Sequence, residues 1–477
     1  MSVAAPLVAL LLFAPAAEPD AAWPRFRGPD GRAVAPAAAP PLSWNGETGE
    51  NVRWHVDLPG PGASSPIVVG DAVFVTCYTG YGVDERNPGD VNALVRHLLR
   101  LNLADGAVVW RADVPSTAEE DPYRGFISEH GYATSTPCSD GERVFVHFGK
   151  TGVLAFDLAG KELWRTNVGT DSGPRGWGSG ASPILVEVEG DDGGPRTLLI
   201  VNACEEAQAL IALDPANGEE VWRASAGSLN QSWATPIVRT SPSNAASPNR
   251  QELLFPIPDE LWALNPATGG LLWYAEIPVD GSACTSPVAD EDGGPVYVVG
   301  GRQGGGAAVT LGTATGGDPA ADDAVLWTTR EGSYVPSPVL IRVPSERGNG
   351  EDDGGERLFW LSDRGLALSL DAQTGETIFK ERLPDDGLTQ SEGRRGRGGV
   401  SLYASPVLVG SGADRRILAT TRAGDTFVIT PADTLQIERV NPLGPDAGRC
   451  NASPAVTEDA LVLRTDHGVW CLAKSTE

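Results

Sequence analysis

The chain has 477 residues and is poor in the groups that most catalytic centres need. Its five histidines, His55, His97, His130, His147 and His467, show no metal-ligand spacing with one another or with a carboxylate. Its six cysteines, Cys77, Cys138, Cys204, Cys284, Cys450 and Cys471, include no C-x-x-C, no adjacent pair and no C-x-x-C-H haem attachment sequence. A nucleophile elbow is missing too; Trp177-Gly178-Ser179-Gly180 comes nearest and lacks the strand–turn–helix setting. The glycine run from Gly300 to Gly306 opens no helix, so it reads as a hairpin rather than a phosphate loop.

Positive charge is scarce. Lys and Arg total 36 against 63 Asp and Glu, for a formal net charge of −27. A surface this acidic repels nucleic acid and anionic membrane, which excludes both as main partners. The one dense basic stretch, Gly393 to Gly399, reads as a loop, as do the acidic pairs Asp191-Asp192, Asp322-Asp323 and Asp352-Asp353 in their Gly-rich insertions.

Amphipathic helical stretches and long apolar runs are absent as well. Val3 to Phe13 is apolar apart from Pro6, and Ala14-Pro15-Ala16 follows with small residues for cleavage. Residues 1–17 therefore read as an export signal, atypical in having no Lys or Arg before the apolar run, and too short to span a bilayer. No cysteine precedes Cys77, so no acceptor for an N-terminal lipid is present. The expectation is a soluble, monomeric protein of the periplasm or the cell exterior. Export permits disulfides, but the sequence does not assign a pairing, and six small buried thiols are the alternative.

What the chain does have is 58 Gly, 38 Pro and a repeat. A small residue, then Ser or Thr, then Pro, then a β run recurs eight times: Ser65-Pro66, Thr136-Pro137, Ser182-Pro183, Thr235-Pro236, Ser286-Pro287, Ser337-Pro338, Ser405-Pro406 and Ser453-Pro454. The spacing runs from 46 to 71 residues, the long intervals carrying insertions at Tyr78 to Arg96, Arg347 to Glu356 and Asp385 to Val400. Proline is tolerated at the first residue of a strand, where no ladder N–H is required. Each unit continues through two more runs to a second marker, complete in Ala212-Leu213-Asp214-Pro215-Ala216-Asn217-Gly218-Glu219-Glu220-Val221-Trp222. There an Asp or Asn caps its own turn, a glycine accepts positive φ, and the Trp offers a large apolar group to bury between units. Phe379 replaces the Trp in the sixth unit and Ile437 in the seventh; in the fifth, Trp327 follows an insertion.

The eighth unit ends after three strands, and Asn51 to Leu58 is a fourth strand, complete with Trp54, that precedes the first unit. One strand donated from the front of the chain completes the last unit. Only a ring requires this; an open solenoid would need caps. The fold class read here is all-β: an eight-bladed β-propeller with four-stranded blades over residues 51–474, closed by its N-terminal strand, after an N-terminal extension over residues 18–50.

These units resemble the pyrroloquinoline quinone (PQQ)-like β-propeller repeat family, which includes quinoprotein alcohol dehydrogenases and the outer-membrane assembly factor BamB. The Ala-x-Asp-x-x-x-Gly-x-x-x-Trp unit is similar to its tryptophan docking motif, and Trp23-Pro24-Arg25-Phe26-Arg27-Gly28-Pro29-Asp30-Gly31 resembles the leader of secreted, planctomycete-type members. The resemblance implies that an enzyme of this kind would carry a vicinal Cys-Cys disulfide over a quinone, with Glu, Asn and Asp around calcium. This chain has no such cysteine pair, so no cofactor and no metal are expected.

In such a ring the segments before each Ser/Thr-Pro converge on one mouth of the channel. They contain Glu129, His130, Tyr132, Arg175, Trp177, Trp233, Tyr334 and Tyr403, read here as one funnel for a protein partner or a small ligand. The alternative is that these aromatics plug the channel. The leading expectation is a non-catalytic, exported scaffold, BamB-like in envelope or outer-membrane protein assembly. A PQQ-dependent dehydrogenase and a carbohydrate-binding propeller are the other readings.

Overall fold

Every Ser/Thr-Pro pair stands at the entrance to the innermost strand of one blade. The computed structural model describes residues 23–474 apart from 191, 242–249, 291–292, 311–323, 344–354, 387 and 390–398. The signal reading and most of the Gly393 to Gly399 stretch therefore lie outside the described residues. Within them are eight antiparallel blades, I to VIII, with inner strands Ile67–Val69, Cys138–Ser139, Ile184–Glu189, Ile237–Thr240, Val288–Ala289, Val339–Arg342, Val407–Val409 and Ala455–Val456.

The hydroxyl of each marker accepts the backbone N–H of the marker one blade earlier. Ser65 N–H donates to Thr136 (2.9 Å), Thr136 to Ser182 (3.0 Å), Ser182 to Thr235 (3.1 Å) and Thr235 to Ser286 (3.1 Å). Ser286 donates to Ser337 (2.9 Å), Ser337 to Ser405 (3.0 Å), Ser405 to Ser453 (2.9 Å), and Ser453 back to Ser65 (3.0 Å). The eight bonds form a closed belt around the channel. The residue type follows from this role: the position needs a short side chain with an acceptor oxygen, and the proline after it has no N–H to leave unpaired.

The second marker fastens neighbouring blades at the rim. The indole N–H of Trp110 donates to Leu158 O at 2.9 Å, Trp164 to Pro215 O at 3.0 Å, Trp222 to Pro266 O at 2.9 Å and Trp327 to Ala372 O at 3.0 Å. Each ring lies on the turn glycine of the next blade, where positive φ and ring contact both exclude a side chain: a Cβ on Gly160 would stand 2.7 Å from Trp110. Trp273 departs from the pattern and donates to Glu252 of its own blade at 3.0 Å. Glu252 is buried between Arg239 (3.0 Å) and Arg250 (2.6 Å).

Closure occurs as the sequence implies. Val52–Asp57 pairs antiparallel with Gly468–Ala473, with Trp54 opposite Cys471 and Asp57 opposite Gly468. Trp54 then docks on blade I, donating to Leu103 O at 2.8 Å.

Residues 23–50 are integral to the ring. Trp23 exchanges backbone bonds with Val68 of blade I, and Pro24 O accepts from Ser139 N of blade II. Buried Arg27 reaches Pro338 O of blade VI, and Val34–Ala35 lies parallel to Val407–Val409 as a fifth strand of blade VII. The segment thus spans the channel, and Phe26 faces into it.

Candidate functional site

The links that lead into the inner strands gather five aromatic rings over one end of the channel. Phe126, on the link from blade I to blade II, is the hub. Its ring centroid lies 4.9 Å from Trp177, 5.8 Å from Tyr334 and 6.2 Å from Tyr403. Trp177 packs on Trp233 at 4.8 Å and meets Tyr334 edge-on at 6.5 Å. These tilted and edge-to-face contacts are favourable ring geometries, so the cluster is self-supporting.

A polar frame holds the rings. Arg175 lies 4.9 Å over Trp177 and donates to Gln231 Oε1 (2.6 Å) and Gly281 O (2.8 Å). Arg422 lies 4.2 Å over Tyr403 and pairs with Glu129 at 2.8 Å, while Asn451 donates to Glu129 O at 2.7 Å. The Trp233 indole donates to Gly178 O at 2.7 Å. His130 Nε2 contacts Trp177 O at 2.9 Å, and Nδ1 contacts Thr134 Oγ1 at 2.6 Å. The carbonyl accepts only, so Nε2 carries the proton and Nδ1 accepts from the threonine. Burial pushes the His130 pKa down to about 4, which keeps the ring neutral. Burial likewise pushes the Tyr334 hydroxyl up to about 12.

Seven of the eight expected residues meet at this mouth: Glu129, His130, Arg175, Trp177, Trp233, Tyr334 and Tyr403. Tyr132 does not join them. Its ring packs against Tyr78 at 5.4 Å, Tyr81 at 5.7 Å and Tyr123 at 6.2 Å, and its hydroxyl donates to Asp121 O. Phe126 was not among the expected residues. It lies 11 positions before Pro137, and its only sequence signal is an aromatic next to the short Ile127–His130 helix.

Beneath the rings is a chamber of about 120 Å³. All eight belt hydroxyls line it, with Phe26 at one end, Phe126, Trp233 and Tyr403 at the other, and Cys284 in the wall. A tricyclic quinone with a carboxylate-held metal does not fit these residues: no Asp or Glu lines the chamber, and the wall thiol is single. Among the described residues no group of three or more His, Cys, Asp or Glu is arranged to hold a metal ion.

A family model described as outer membrane protein assembly factor BamB matches residues 27–175 and 100–343. No curated protein matches the chain. Among solved structures, BamB from Moraxella catarrhalis is similar at 15% identity, covering 88% of this chain and 99% of its own, with a TM-score of 0.48. A europium-containing methanol dehydrogenase is similar at 13% identity, 86% and 91% coverage and a TM-score of 0.42. A quinohemoprotein alcohol dehydrogenase from Comamonas testosteroni follows at 11% identity, 97% and 82% coverage and a TM-score of 0.41. None of the three structures carries a function over to this chain.

Proposed function

The chain belongs to the PQQ-repeat propeller family described as outer membrane protein assembly factor BamB, and from that membership we propose that it is a non-catalytic, exported scaffold whose aromatic mouth docks a protein partner in envelope assembly. The observation that carries the reading is the mouth itself. Seven residues from five separate links are held by mutual stacking, two Arg-over-ring contacts and the Glu129–Arg422 pair, over a chamber with no carboxylate. Rigid aromatic anchors framed by polar groups suit recognition of a folded or peptide surface. The two groups in that set that could act as bases are engaged in the frame, His130 between Thr134 Oγ1 and Trp177 O and Glu129 in its pair with Arg422. No described helix is long and apolar enough to cross a membrane.

Site-specific photocrosslinking in the native host tests this. A crosslinker at Tyr334 should trap one discrete adduct with an envelope assembly component, while one at Leu163, exposed on the outer rim, should not. Equal labelling at both places would overturn the docking reading. The dehydrogenase reading has its own arm: with PQQ and calcium the protein should give no dye-linked alcohol oxidation above the heat-killed control.

A further inference from the structure

A second cavity, of about 30 Å³, lies off the axis beside the mouth, between blades I, II and III. One wall carries two ion pairs: Arg96 forks onto Glu120 at 2.7 and 2.8 Å, and Lys150 stands 3.1 Å from Asp121. The opposite wall is the one-turn helix Cys204–Ala207, which presents Glu205 and Glu206, adjacent and each 3% exposed. Glu206 accepts from the Ser179 hydroxyl. Glu205 accepts the Gln231 N–H on Oε1 at 2.8 Å, and its Oε2 has no partner. His147 and Ser135 face the same space; both imidazole nitrogens and the Ser135 hydroxyl are buried without a hydrogen bond. Like the two glutamates, His147 and Ser135 are each 3% exposed, so these groups meet almost no solvent.

Glu205 is wired to the aromatic cover. Gln231, whose N–H it binds, has the strained φ of +55° and sits two residues before Trp233. The Gln231 side chain accepts from Arg175, and Arg175 stacks on Trp177. The loop carrying Arg175 and Trp177 comes so near that a Cβ on Gly173 would fall 2.0 Å from Glu205 Oε2, and Gly173, Gly176 and Gly178 all have positive φ. The two other cations here, Arg96 and Lys150, are already committed to Glu120 and Asp121, whereas among the described residues no carboxylate forms an ion pair with Arg175.

We propose that Glu205 is a proton-operated latch on the mouth. Protonated, it leaves Arg175 stacked on Trp177 and the cover closed; ionised, it draws Arg175 inward and loosens Trp177 from Phe126 and Trp233.

The surroundings favour the protonated form at neutral pH. Burial raises the Glu205 pKa to about 8; the Gln231 hydrogen bond opposes the rise, Glu206 adds to it, Arg175 opposes it and Asp121 adds to it. From the other elements, His147 is held neutral by burial, and burial pushes the Cys284 thiol to about 12 and the Cys204 thiol well up. Asp171, on the loop that passes Glu206, and the two ion pairs complete the set.

The test is tryptophan emission between pH 6 and 10, read as the difference between the full-length protein and W177F, with far-ultraviolet circular dichroism to confirm intact blades. The proposal expects a transition in the mouth signal with a midpoint near 8. E205Q should abolish it. E206Q should keep it but lower the midpoint by on the order of one pH unit, since a like charge has been removed. Q231A keeps the backbone N–H to Glu205 while cutting the link to Arg175, and should flatten the response in the folded protein. A flat wild-type profile, a transition that survives E205Q, or one that coincides with loss of blade structure would each overturn the latch. Should E205Q fail to fold, an unmoved E206Q midpoint with an unaltered Q231A response overturns it equally. The outcome is independent of partner binding, so failure here leaves the docking reading standing.

Discussion

Ser453 donates its backbone N–H to the Ser65 hydroxyl at 3.0 Å across 388 residues of sequence, closing an eight-member belt that begins and ends on the same side chain. The bond lies at the seam where the ring must be held shut, next to the docking of Trp54 on blade I and the pairing of Val52–Asp57 with Gly468–Ala473.

Ser65→Ala should therefore destabilise the fold by about 1–3 kcal/mol, because it strands a buried N–H. Ser65→Thr should be nearly neutral, since Thr136 and Thr235 fill the same role in blades II and IV. Chemical denaturation followed by circular dichroism measures both. Equal stability of the alanine variant and the wild type would remove the belt from the account of closure.

The rim docking makes a paired prediction. Gly106 and Gly70 both have positive φ, but a Cβ on Gly106 would stand 2.7 Å from the Trp54 ring, while Gly70 faces open space. Each alanine substitution carries the backbone strain of a left-handed residue, on the order of 1 kcal/mol. Only Gly106→Ala must also displace Trp54, and it should cost roughly 1–3 kcal/mol more. If the two variants unfold at the same denaturant concentration, the glycine–indole contact is not what joins blade VIII to blade I.

His130 predicts an acid limb. Its folded pKa is about 4 against an ordinary 6.5, so the unfolded chain binds the extra proton between those values. Stability contributed by neutral His130 is full above pH 6.5 and is lost as pH falls toward 4. The loss is on the order of 1–3 kcal/mol, the lower end allowing for partial exposure of the ring. His130→Gln keeps a neutral amide in the same place and should flatten this part of the stability–pH profile. A profile equally steep in H130Q would assign the limb to other groups.

The repeat made most of this fold legible. Ser/Thr-Pro sits at a fixed place in every unit and the docking Trp in six of the eight, and the orphan strand at Asn51 to Leu58 matches the gap after Ala473. The belt was not legible, because each acceptor lies one blade away and its role appears only when eight units close. Residues 23–50 carry no periodicity, so their course through the channel had no sequence signal. At the mouth, Tyr132 was grouped by position, but the first-blade insertion supplies Tyr81 and, with Tyr78 and Tyr123, captures its ring. Trp273 keeps the docking residue type while its N–H bonds Glu252, since a buried carboxylate is the stronger acceptor.

The cover over the chamber can be tested through Cys284, which lines it beneath the rings. Five of the six thiols are buried within the blades and links, and Cys284 is partly exposed, toward the chamber. Its reactivity with a bulky thiol reagent thus reports whether the mouth is open. With Phe126 in place, the hub contacts to Trp177, Tyr334 and Tyr403 block the approach, and labelling should be slow. Phe126→Ala removes all three contacts at once while leaving the belt, the rim docking and the Glu129–Arg422 pair untouched. Labelling should then accelerate by at least about tenfold, the equivalent of ~1.4 kcal/mol of lost closure. C284S supplies the background from the other five cysteines, and an unchanged thermal midpoint shows that the blades have not opened instead. If F126A and wild type label at the same rate, the rings do not seal the chamber, and the mouth is an open funnel rather than a cover.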